Sequence, residues 1–172
     1  MADNATLIRS LYDAWNRRDF EVGVQAMAPD GRITFMGTGE TFEGPEGARR
    51  FNQAWADGFP DGQVTVDSVV AEGDQVVAEY TGRGTHTGAF ETSMGSIPAT
   101  GKSLTLKLCD VYDIEDGKVK SQRTYLDTGS MMAQLGLLPE QTATATQQYP
   151  SSNRNDRAPA HSGRFGRGAR RP

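Results

Sequence analysis

Hydrophobic and polar positions alternate along residues 103–127, and this pattern predicts the central element of the fold. The even positions of its first half are Leu, Leu, Leu, Asp, Tyr and Ile, and the pair Asp116-Gly117 that follows is typical of a tight turn between two strands. Because side chains alternate across a strand, we expect the even positions to face the core. Asp110 lies within this apolar row, so its carboxyl must be paired, protonated or functional.

The second strand has two candidate registers, which differ in the residues that share the face of Asp110. A two-residue turn opposes Ile114 to Val119, which hydrophobic matching favours. The residues that then share the face of Asp110 are Arg123, Tyr125 and Asp127. A three-residue loop instead opposes Asp110 to Gln122. The further residues on that face are then Thr124 and Leu126. A slip of one residue reverses every side chain, and the alternation leaves both registers open.

Hydrophobic spacing before and after this hairpin predicts helices and strands that together form an α+β fold. The predicted helices are Ala5–Asp19 with Asn4 as N-cap, Phe20–Met27, Pro45–Trp55 and Gly129–Leu137. The predicted strands before the hairpin are Arg32–Met36, the segment TFEG, Val64–Ala71 and Gln75–Thr81, followed by a glycine-rich loop or irregular strand over Gly82–Gly101. This order predicts a cone-shaped fold in which helices cover one face of a curved, mainly antiparallel sheet and leave a ligand cavity.

The composition of the chain indicates one soluble domain. Its 172 residues suffice for a real core, and no run approaches the length of a membrane span. The N-terminus lacks the layout of a signal peptide. Cys109 is the single cysteine, which excludes a disulfide framework within the chain. We therefore expect a cytoplasmic protein that does not associate with membranes.

The charge is distributed unevenly, which separates a body from a tail. Residues 1–138 carry 12 basic and 20 acidic residues, a formal charge of −8, whereas residues 139–172 carry six arginines and two acids, a charge of +4. The acidic body argues against nucleic acid as its partner. The tail is polar and contains few large apolar residues, so we expect it to be disordered. Its Gly/Arg-rich end resembles segments that contact RNA weakly, although a solubilising extension is the simpler interpretation.

Several segments of the chain resemble one known family in the same order. They are LYDAWNRRDFE near the N-terminus, GTHTGAF at 84–90, IPATGKSLTL at 97–106, the DGKV turn and YLDTGSMMAQLG at 125–136. With them, residues 5–138 resemble the nuclear transport factor 2-like superfamily and, within it, the SnoaL-like polyketide (ester) cyclases. This resemblance implies a cone-shaped domain over residues 1–138, a homodimer, and a pocket for a small apolar molecule. The superfamily contains isomerases, cyclases, dehydratases, epoxide hydrolases and binding modules, so the fold alone does not imply one activity.

The catalytic positions implied by the resemblance are only partly filled here. The general acid/base Asp of SnoaL-like cyclases corresponds to Thr124, the Trp before it to Arg123, and their assisting His to Asp110. In the similar ketosteroid isomerases a protonated Asp that donates to an oxyanion also corresponds to Asp110. Their catalytic base corresponds to Phe35, and their helix-one Tyr to Leu11. Neither of these catalytic sets is therefore complete in this chain.

The residues at the end of the hairpin can also be matched to positions in related families. Limonene epoxide hydrolase-like proteins carry an Asp where RTYLD places Asp127, but their Arg-x-Asp is missing from this chain. In the isomerases and cyclases, the residues that face the pocket correspond to Gln122, Thr124 and Leu126. The resemblance therefore favours the register of the three-residue loop.

Three residues are the candidates for catalysis, and each also has an ordinary structural interpretation. Asp110 would act as acid/base or oxyanion donor, or would instead pair with Arg123. His86 is the only histidine of the body, and it either lines the pocket or is a hydrogen-bonded structural residue. Asp127 precedes a predicted helix, so capping explains it as well as catalysis does. The candidates for substrate binding are Tyr12, Trp15, Met36, Trp55, Phe59, Phe90, Leu108, Tyr112, Gln122, Thr124 and Met131.

These observations together predict a cofactor-independent enzyme. We expect proton transfer on a small apolar, carbonyl-containing, polyketide-like molecule, by cyclisation or isomerisation. No metal site is predicted, because the two histidines and the single cysteine have no ligand spacing. The alternative is a ligand-binding or assembly module of the same fold without turnover, since the family's catalytic positions are substituted.

Overall fold

Residues 3–93 and 95–138, which the computed structural model describes, contain four helices. They are α1 (Asn4–Asn16), α2 (Phe20–Ala26), α3 (Gly44–Gly58) and α4 (Thr128–Gln134). The N-cap of α1 is Asp3 rather than Asn4, because the Asp3 carboxylate accepts a hydrogen bond from the Ala5 N–H at 3.3 Å. Asn4 lies within the helix and donates instead to the Gly73 carbonyl at 3.0 Å.

Eight strands lie between and after the first three helices in these residues. They are β1 (Met27–Phe35), β2 (Glu40–Glu43), β3 (Gln63–Glu72), β4 (Gln75–Thr85), β5 (Phe90–Thr92), β6 (Gly95–Ile97), β7 (Ser103–Glu115) and β8 (Lys118–Leu126). Two segments differ from the sequence prediction. β1 begins five residues before Arg32, with a register shift at this point that accommodates Pro29, which lacks an N–H. Part of the segment Gly82–Gly101, which the sequence predicts as a loop or irregular strand, extends β4 to Thr85 and forms the short hairpin β5–β6.

Six of the strands form one curved sheet in the order β2-β1-β8-β7-β4-β3. Neighbouring strands are antiparallel except β1 and β8, which run parallel. α1 packs against β3 and β4, and α3 packs against β1. Helices therefore cover one face of the sheet, and the α+β cone predicted from the sequence is confirmed.

The hairpin β7–β8 has a register that neither sequence alternative described completely. Glu115 pairs with Lys118 across a two-residue turn, in which Asp116 and Gly117 have φ values of 51° and 73°. Positive φ at both central residues is typical of a type I′ turn. A bulge beyond Ile114 then shifts the register by one residue. The turn is thus the two-residue one.

The bulge reverses the faces of β8 beyond it, because side chains alternate with a period of two. Asp110 pairs with Thr124, and neither Gln122 nor Arg123 stands directly opposite it. Thr124 is buried on the face of Asp110, whereas Tyr125 is 42% exposed on the outer face. The face implied by the family resemblance is therefore the observed one, although the loop length that we associated with it is wrong.

The core lies between the sheet and the helices. The inward row of β7 is buried except for Leu108, which is half-buried. Tyr112 and Ile114 pack in one cluster with Ile8 of α1 and Val76 of β4. None of the helices in the described part of the chain is long and apolar enough to cross a bilayer. The predicted disordered tail, residues 139–172, lies outside the described residues and stays a prediction.

Candidate functional site

A cavity of about 130 Å³ lies between the concave face of the sheet and helices α1 to α3, and we call it cavity one. One water molecule needs about 10–15 Å³ by the same measure, so cavity one has room for roughly ten water-sized groups. Most of its wall is apolar. The candidate site residues that line it are Tyr12, Trp15, Trp55, Phe59, Leu108, Asp110, Tyr112, Gln122 and Thr124.

Three donors converge on one oxygen of the Asp110 carboxyl. The hydroxyl of Tyr12 lies 2.9 Å from Asp110 Oδ2, and the hydroxyl of Tyr112 lies 3.0 Å from the same atom. Gln122 Nε2 donates to Oδ2 at 3.2 Å and to Thr124 Oγ1 at 3.1 Å. The two tyrosine hydroxyls also lie 2.9 Å from each other. Oδ2 is thus saturated by protein donors.

The other carboxyl oxygen, Asp110 Oδ1, is buried and has no hydrogen-bond partner among the described residues. Since Oδ2 accepts three hydrogen bonds, a proton on this carboxyl belongs on Oδ1. Burial raises the pKa of Asp110, although the nearby hydroxyls of Thr124, Tyr12 and Tyr112 oppose the shift. Asp110 therefore has one oxygen held in place by three donors and one buried oxygen without a hydrogen-bond partner among the described residues.

The tyrosines around Asp110 remain protonated donors. Burial raises the pKa of the Tyr12, Tyr80 and Tyr112 hydroxyls, and the nearby negative charge of Asp110 raises them further. No arginine or lysine of the described residues forms an ion pair with Asp110. The alternative partner Arg123 lies on the outer face, where its guanidinium donates to Asp113 at 2.7 Å. Pairing of Asp110 with Arg123 is thus excluded.

The sequence analysis missed five polar residues that line cavity one, namely Asp19, Asn52, Gln63, Tyr80 and Arg83. Tyr80 lines the cavity and packs on Tyr12, with ring centroids 4.7 Å apart. The alternation of Val76, Ala78 and Tyr80 along β4 carries the signal that would have found it. Asn52 of α3 also lines the cavity, with its Nδ2 donating to the Ala48 carbonyl at 2.9 Å. No local pattern distinguishes Asn52 from a surface residue of an amphipathic helix.

A second cavity of about 50 Å³, which we call cavity two, lies among α3, α4, β5 and the ends of β1 and β2. Its wall is almost entirely apolar and includes two candidate substrate-binding residues, Phe90 and Met131. Trp55 lines both cavities. Met36 lines neither one and is 42% exposed, because it follows the last residue of β1. Its role as a substrate contact stays a prediction, which neither cavity supports.

His86 is fully buried but does not line either cavity, contrary to the pocket interpretation. Its ring stacks on Phe59 with centroids 5.1 Å apart, and its Nδ1 accepts a hydrogen bond from the Thr100 backbone N–H at 3.3 Å. A neutral ring that accepts at Nδ1 carries its proton on Nε2. Burial lowers the pKa of His86, which favours this neutral form. His86 therefore connects Phe59 to the segment that precedes β7, by ring stacking on one side and a hydrogen bond on the other.

Asp127 is exposed and lies outside both cavities. Its carboxylate accepts a hydrogen bond from the Ser130 N–H at 2.9 Å and caps the N-terminus of α4. The capping interpretation therefore accounts for Asp127. Within the described residues, no group of three or more His, Cys, Asp or Glu side chains is placed to hold a metal ion.

A family model and the solved structures both relate this chain to SnoaL-like polyketide cyclases. The family model of the SnoaL-like polyketide cyclases matches residues 5–135. A candidate SnoaL-like polyketide cyclase from Jannaschia sp. CCS1 is 28% identical, with a TM-score of 0.70, over 79% of this chain and 93% of that chain. The comparison with curated proteins gives no match.

Two other solved structures show how varied the similar proteins are. IdmH of Streptomyces antibioticus, a candidate polyketide cyclase, is 30% identical with a TM-score of 0.64, over 78% of this chain and 99% of that chain. AclR of Streptomyces galilaeus, a candidate hydroxylase, is 26% identical with a TM-score of 0.66, over 81% of this chain and 89% of that chain. The shared fold therefore does not specify one reaction, and the residues of the site decide the chemistry.

Proposed function

Because the chain belongs to the SnoaL-like polyketide cyclase family, we propose that it binds a small, largely apolar, carbonyl-containing molecule in cavity one. There it catalyses a cofactor-independent proton transfer of the polyketide or ester cyclase or isomerase type. The observation that carries this proposal is the free oxygen of Asp110. Oδ1 is buried at the cavity wall without a protein partner, while Oδ2 is fixed by Tyr12, Tyr112 and Gln122.

The proposed chemistry uses Asp110 as a single acid/base. The ionised carboxylate accepts a proton from the carbon beside the substrate carbonyl, and Oδ1–H then donates that proton to the developing oxyanion. A raised pKa brings the two protonation states of Asp110 closer to balance near neutral pH, which suits such a group. The transfer needs no other buried carboxylate, and Asp110 is the only one among the described residues.

The surroundings of Asp110 support this role in two ways. Hydrogen bonds from Tyr12 and Tyr112 lock the orientation of the carboxyl, so that Oδ1 has a fixed position relative to a bound substrate. A substrate that fills the largely apolar cavity displaces water from it, which strengthens the hydrogen bond from Oδ1–H to an oxyanion. An amide at position 110 can keep the hydrogen bonds that fix the side-chain orientation, but it cannot transfer a proton.

The test of this function is the variant Asp110→Asn with 2-tetralone, an apolar bicyclic ketone whose α-protons are acidic. Nuclear magnetic resonance in D2O measures the exchange of those protons with solvent. We expect wild-type protein to accelerate exchange above the buffer rate and Asp110→Asn to lose about 10²–10⁴-fold of that acceleration, the typical contribution of a general acid/base. Binding of 4-methylphenol, measured by calorimetry, should persist in the variant.

Asp113→Asn is the matched control, because it makes the same chemical change on the same strand but on the outer face. It should leave both exchange and binding unchanged. Equal exchange rates with wild-type protein and Asp110→Asn would refute the acid/base role. Binding of 4-methylphenol without any acceleration of exchange would favour the second candidate.

The second candidate function is a ligand-binding or assembly module without turnover. It is favoured by Thr124, which lies directly opposite Asp110 at the position where the resemblance implies the acid/base Asp of the cyclases. Cavity one would then hold a ligand through the Asp110 cluster without changing it. A small molecule that co-purifies from the native host and is recovered chemically unaltered after prolonged incubation would support this candidate.

We also propose a homodimer formed through the outer face of the sheet and a cytoplasmic location. Val77 and Val111 pair across β4 and β7 on that face, and Tyr125 exposes 42% of its surface there. An apolar centre with a charged rim is typical of subunit interfaces. A monomeric mass by native mass spectrometry would contradict the dimer. The location rests on composition, which includes the single cysteine Cys109.

A further inference from the structure

The two cavities share one wall, which belongs to α3. Phe51 and Trp55, one helical turn apart, line both cavities. On the side of cavity one, the indole of Trp55 stacks on Phe59 with centroids 5.8 Å apart. On the side of cavity two, it contacts Phe90 at 4.8 Å and Phe35 at 6.4 Å. The indole therefore stands between the two spaces.

The two cavities differ in chemistry. In cavity one, Tyr12, Tyr112 and Gln122 cluster around Asp110, and the α3 wall is mostly apolar. The polar residues that line the cavity outside this cluster include Asp19, Asn52, Gln63 and Arg83. Cavity two has no comparable cluster in the described residues that line it, and its wall is mainly aromatic rings and methionines. A ligand whose oxygen binds at Asp110 thus has its apolar end near α3. A hydrocarbon group matches most of the wall of cavity two, and the Thr128 hydroxyl, which has no hydrogen-bond partner among the described residues, is a polar exception.

We propose that Trp55 determines substrate specificity by limiting the length of the ligand that binds at Asp110. The indole closes cavity one towards cavity two, so a tail that reaches the indole meets a wall. This inference rests on the proposed binding of a carbonyl or phenolic oxygen at Asp110. It assigns to the natural ligand a short apolar body rather than a long chain.

The packing of Trp55 explains why the indole is a fixed wall. Its ring contacts three aromatic rings that come from β1, from the segment after α3 and from β5. Rotation of the indole would give up these contacts together, and tightly packed side chains do not move independently. The volume beyond the wall, about 50 Å³, has room for roughly three to five water-sized groups. Removing the indole should therefore admit at least three more methylene groups.

The experiment is calorimetric titration of full-length protein with 4-alkylphenols, from 4-methylphenol to 4-heptylphenol. The phenol oxygen binds at Asp110, and the length of the alkyl chain measures how far the cavity extends from Asp110 before the chain reaches the indole. With wild-type protein we expect the affinity to rise about fourfold per methylene and then to stop rising when the chain reaches the indole. With Trp55→Leu the rise should continue for at least three further methylenes. Trp55→Met, which keeps more apolar contact, should give the same extension if Trp55→Leu does not fold.

Phe42→Leu is the matched control. Phe42 lines cavity two but not cavity one and packs edge-on against Phe51, with centroids 5.5 Å apart. This variant enlarges cavity two and leaves the indole in place, so its length limit should equal that of wild-type protein. An unchanged limit in a folded Trp55 variant would overturn the inference and leave the proposed function intact. Failure of every phenol to bind wild-type protein and the Trp55 variants would overturn both.

Discussion

Strand β7 carries two aspartates three residues apart, one on each face of the sheet, and their electrostatics are opposite. Asp110 faces cavity one and is 1% exposed, and burial raises its pKa. Asp113 lies on the outer face, where hydrogen bonds from Ser121, Arg123 and Gln75 lower its pKa to about 2. The same residue type on one strand thus has a destabilised charge on one face and a stabilised charge on the other.

The difference shows that partner chemistry, more than position in the sequence, separates a structural carboxylate from a candidate catalytic one. Asp113 has a guanidinium at 2.7 Å, which satisfies its charge. The partners of Asp110 are neutral hydroxyls and one amide, which orient the carboxyl but do not neutralise it. A buried carboxyl with no cation beside it and one free oxygen is costly to keep. Such a cost is typical of functional sites.

The largest effect on stability is expected from Asp110→Asn. The folded-state pKa of Asp110 is raised above its unfolded value, so the wild-type protein loses stability as the pH rises from about 4 through the folded-state pKa. The amide mimics the protonated carboxyl and does not titrate. We expect the variant to match wild-type protein near pH 4 and to exceed its free energy of unfolding by about 2 kcal/mol at pH 8. Urea unfolding at both pH values measures this difference in stability. A variant that is less stable than wild-type protein at pH 8 would contradict the destabilising charge at Asp110.

A smaller effect of opposite sign is expected from Asp113→Asn. The folded-state pKa of Asp113 is lowered, so its charge stabilises the fold above about pH 4, and that stability is lost as the pH falls towards 2. Because the side chain is 42% exposed, solvent screens the pair with Arg123. The variant should therefore lose only about 0.5–1 kcal/mol of unfolding free energy at pH 7. Urea titrations at pH 7 and pH 3 should show this loss shrinking in acid, and a constant loss would argue against the ion pair.

The smallest expected quantity is the coupling free energy between the two substitutions. The two carboxyls lie on opposite faces of the sheet and share no hydrogen-bond partner among the described residues. The double variant Asp110→Asn/Asp113→Asn should therefore change the unfolding free energy by the sum of the single changes, within about 0.5 kcal/mol. A double-mutant cycle at pH 7 measures the coupling. A larger coupling would mean that the two faces respond to each other's charge through the strand.

A second buried titratable residue shows why burial by itself does not make a site. His86 is as deeply buried as Asp110, and its Nε2 also lacks a partner among the described residues. Burial lowers the pKa of His86, so both groups are shifted towards their neutral forms. Asp110 lines cavity one, whereas His86 lines neither cavity, so only Asp110 belongs to the candidate site.

The sequence by itself determined the features that depend on local periodicity. Alternation over β7 placed Asp110 in the buried row, and helical spacing placed Tyr12 and Trp15 on the covered face of α1. These patterns are readable because each strand or helix repeats its own period, whatever packs against it. The family and its cone-shaped fold followed from segments in a fixed order.

Only the tertiary structure decided which groups meet. The register of β8 depends on a turn and a bulge that act together, and either one alone would have put the opposite face towards Asp110. Tyr12 reaches Asp110 across 98 residues of sequence, and no local pattern encodes that contact. The roles of Asp127 as a helix cap and of His86 as a packed residue likewise depend on which groups lie beside them in the fold. Residue types and periods are properties of the chain, whereas hydrogen-bond partners are properties of the space into which the chain folds.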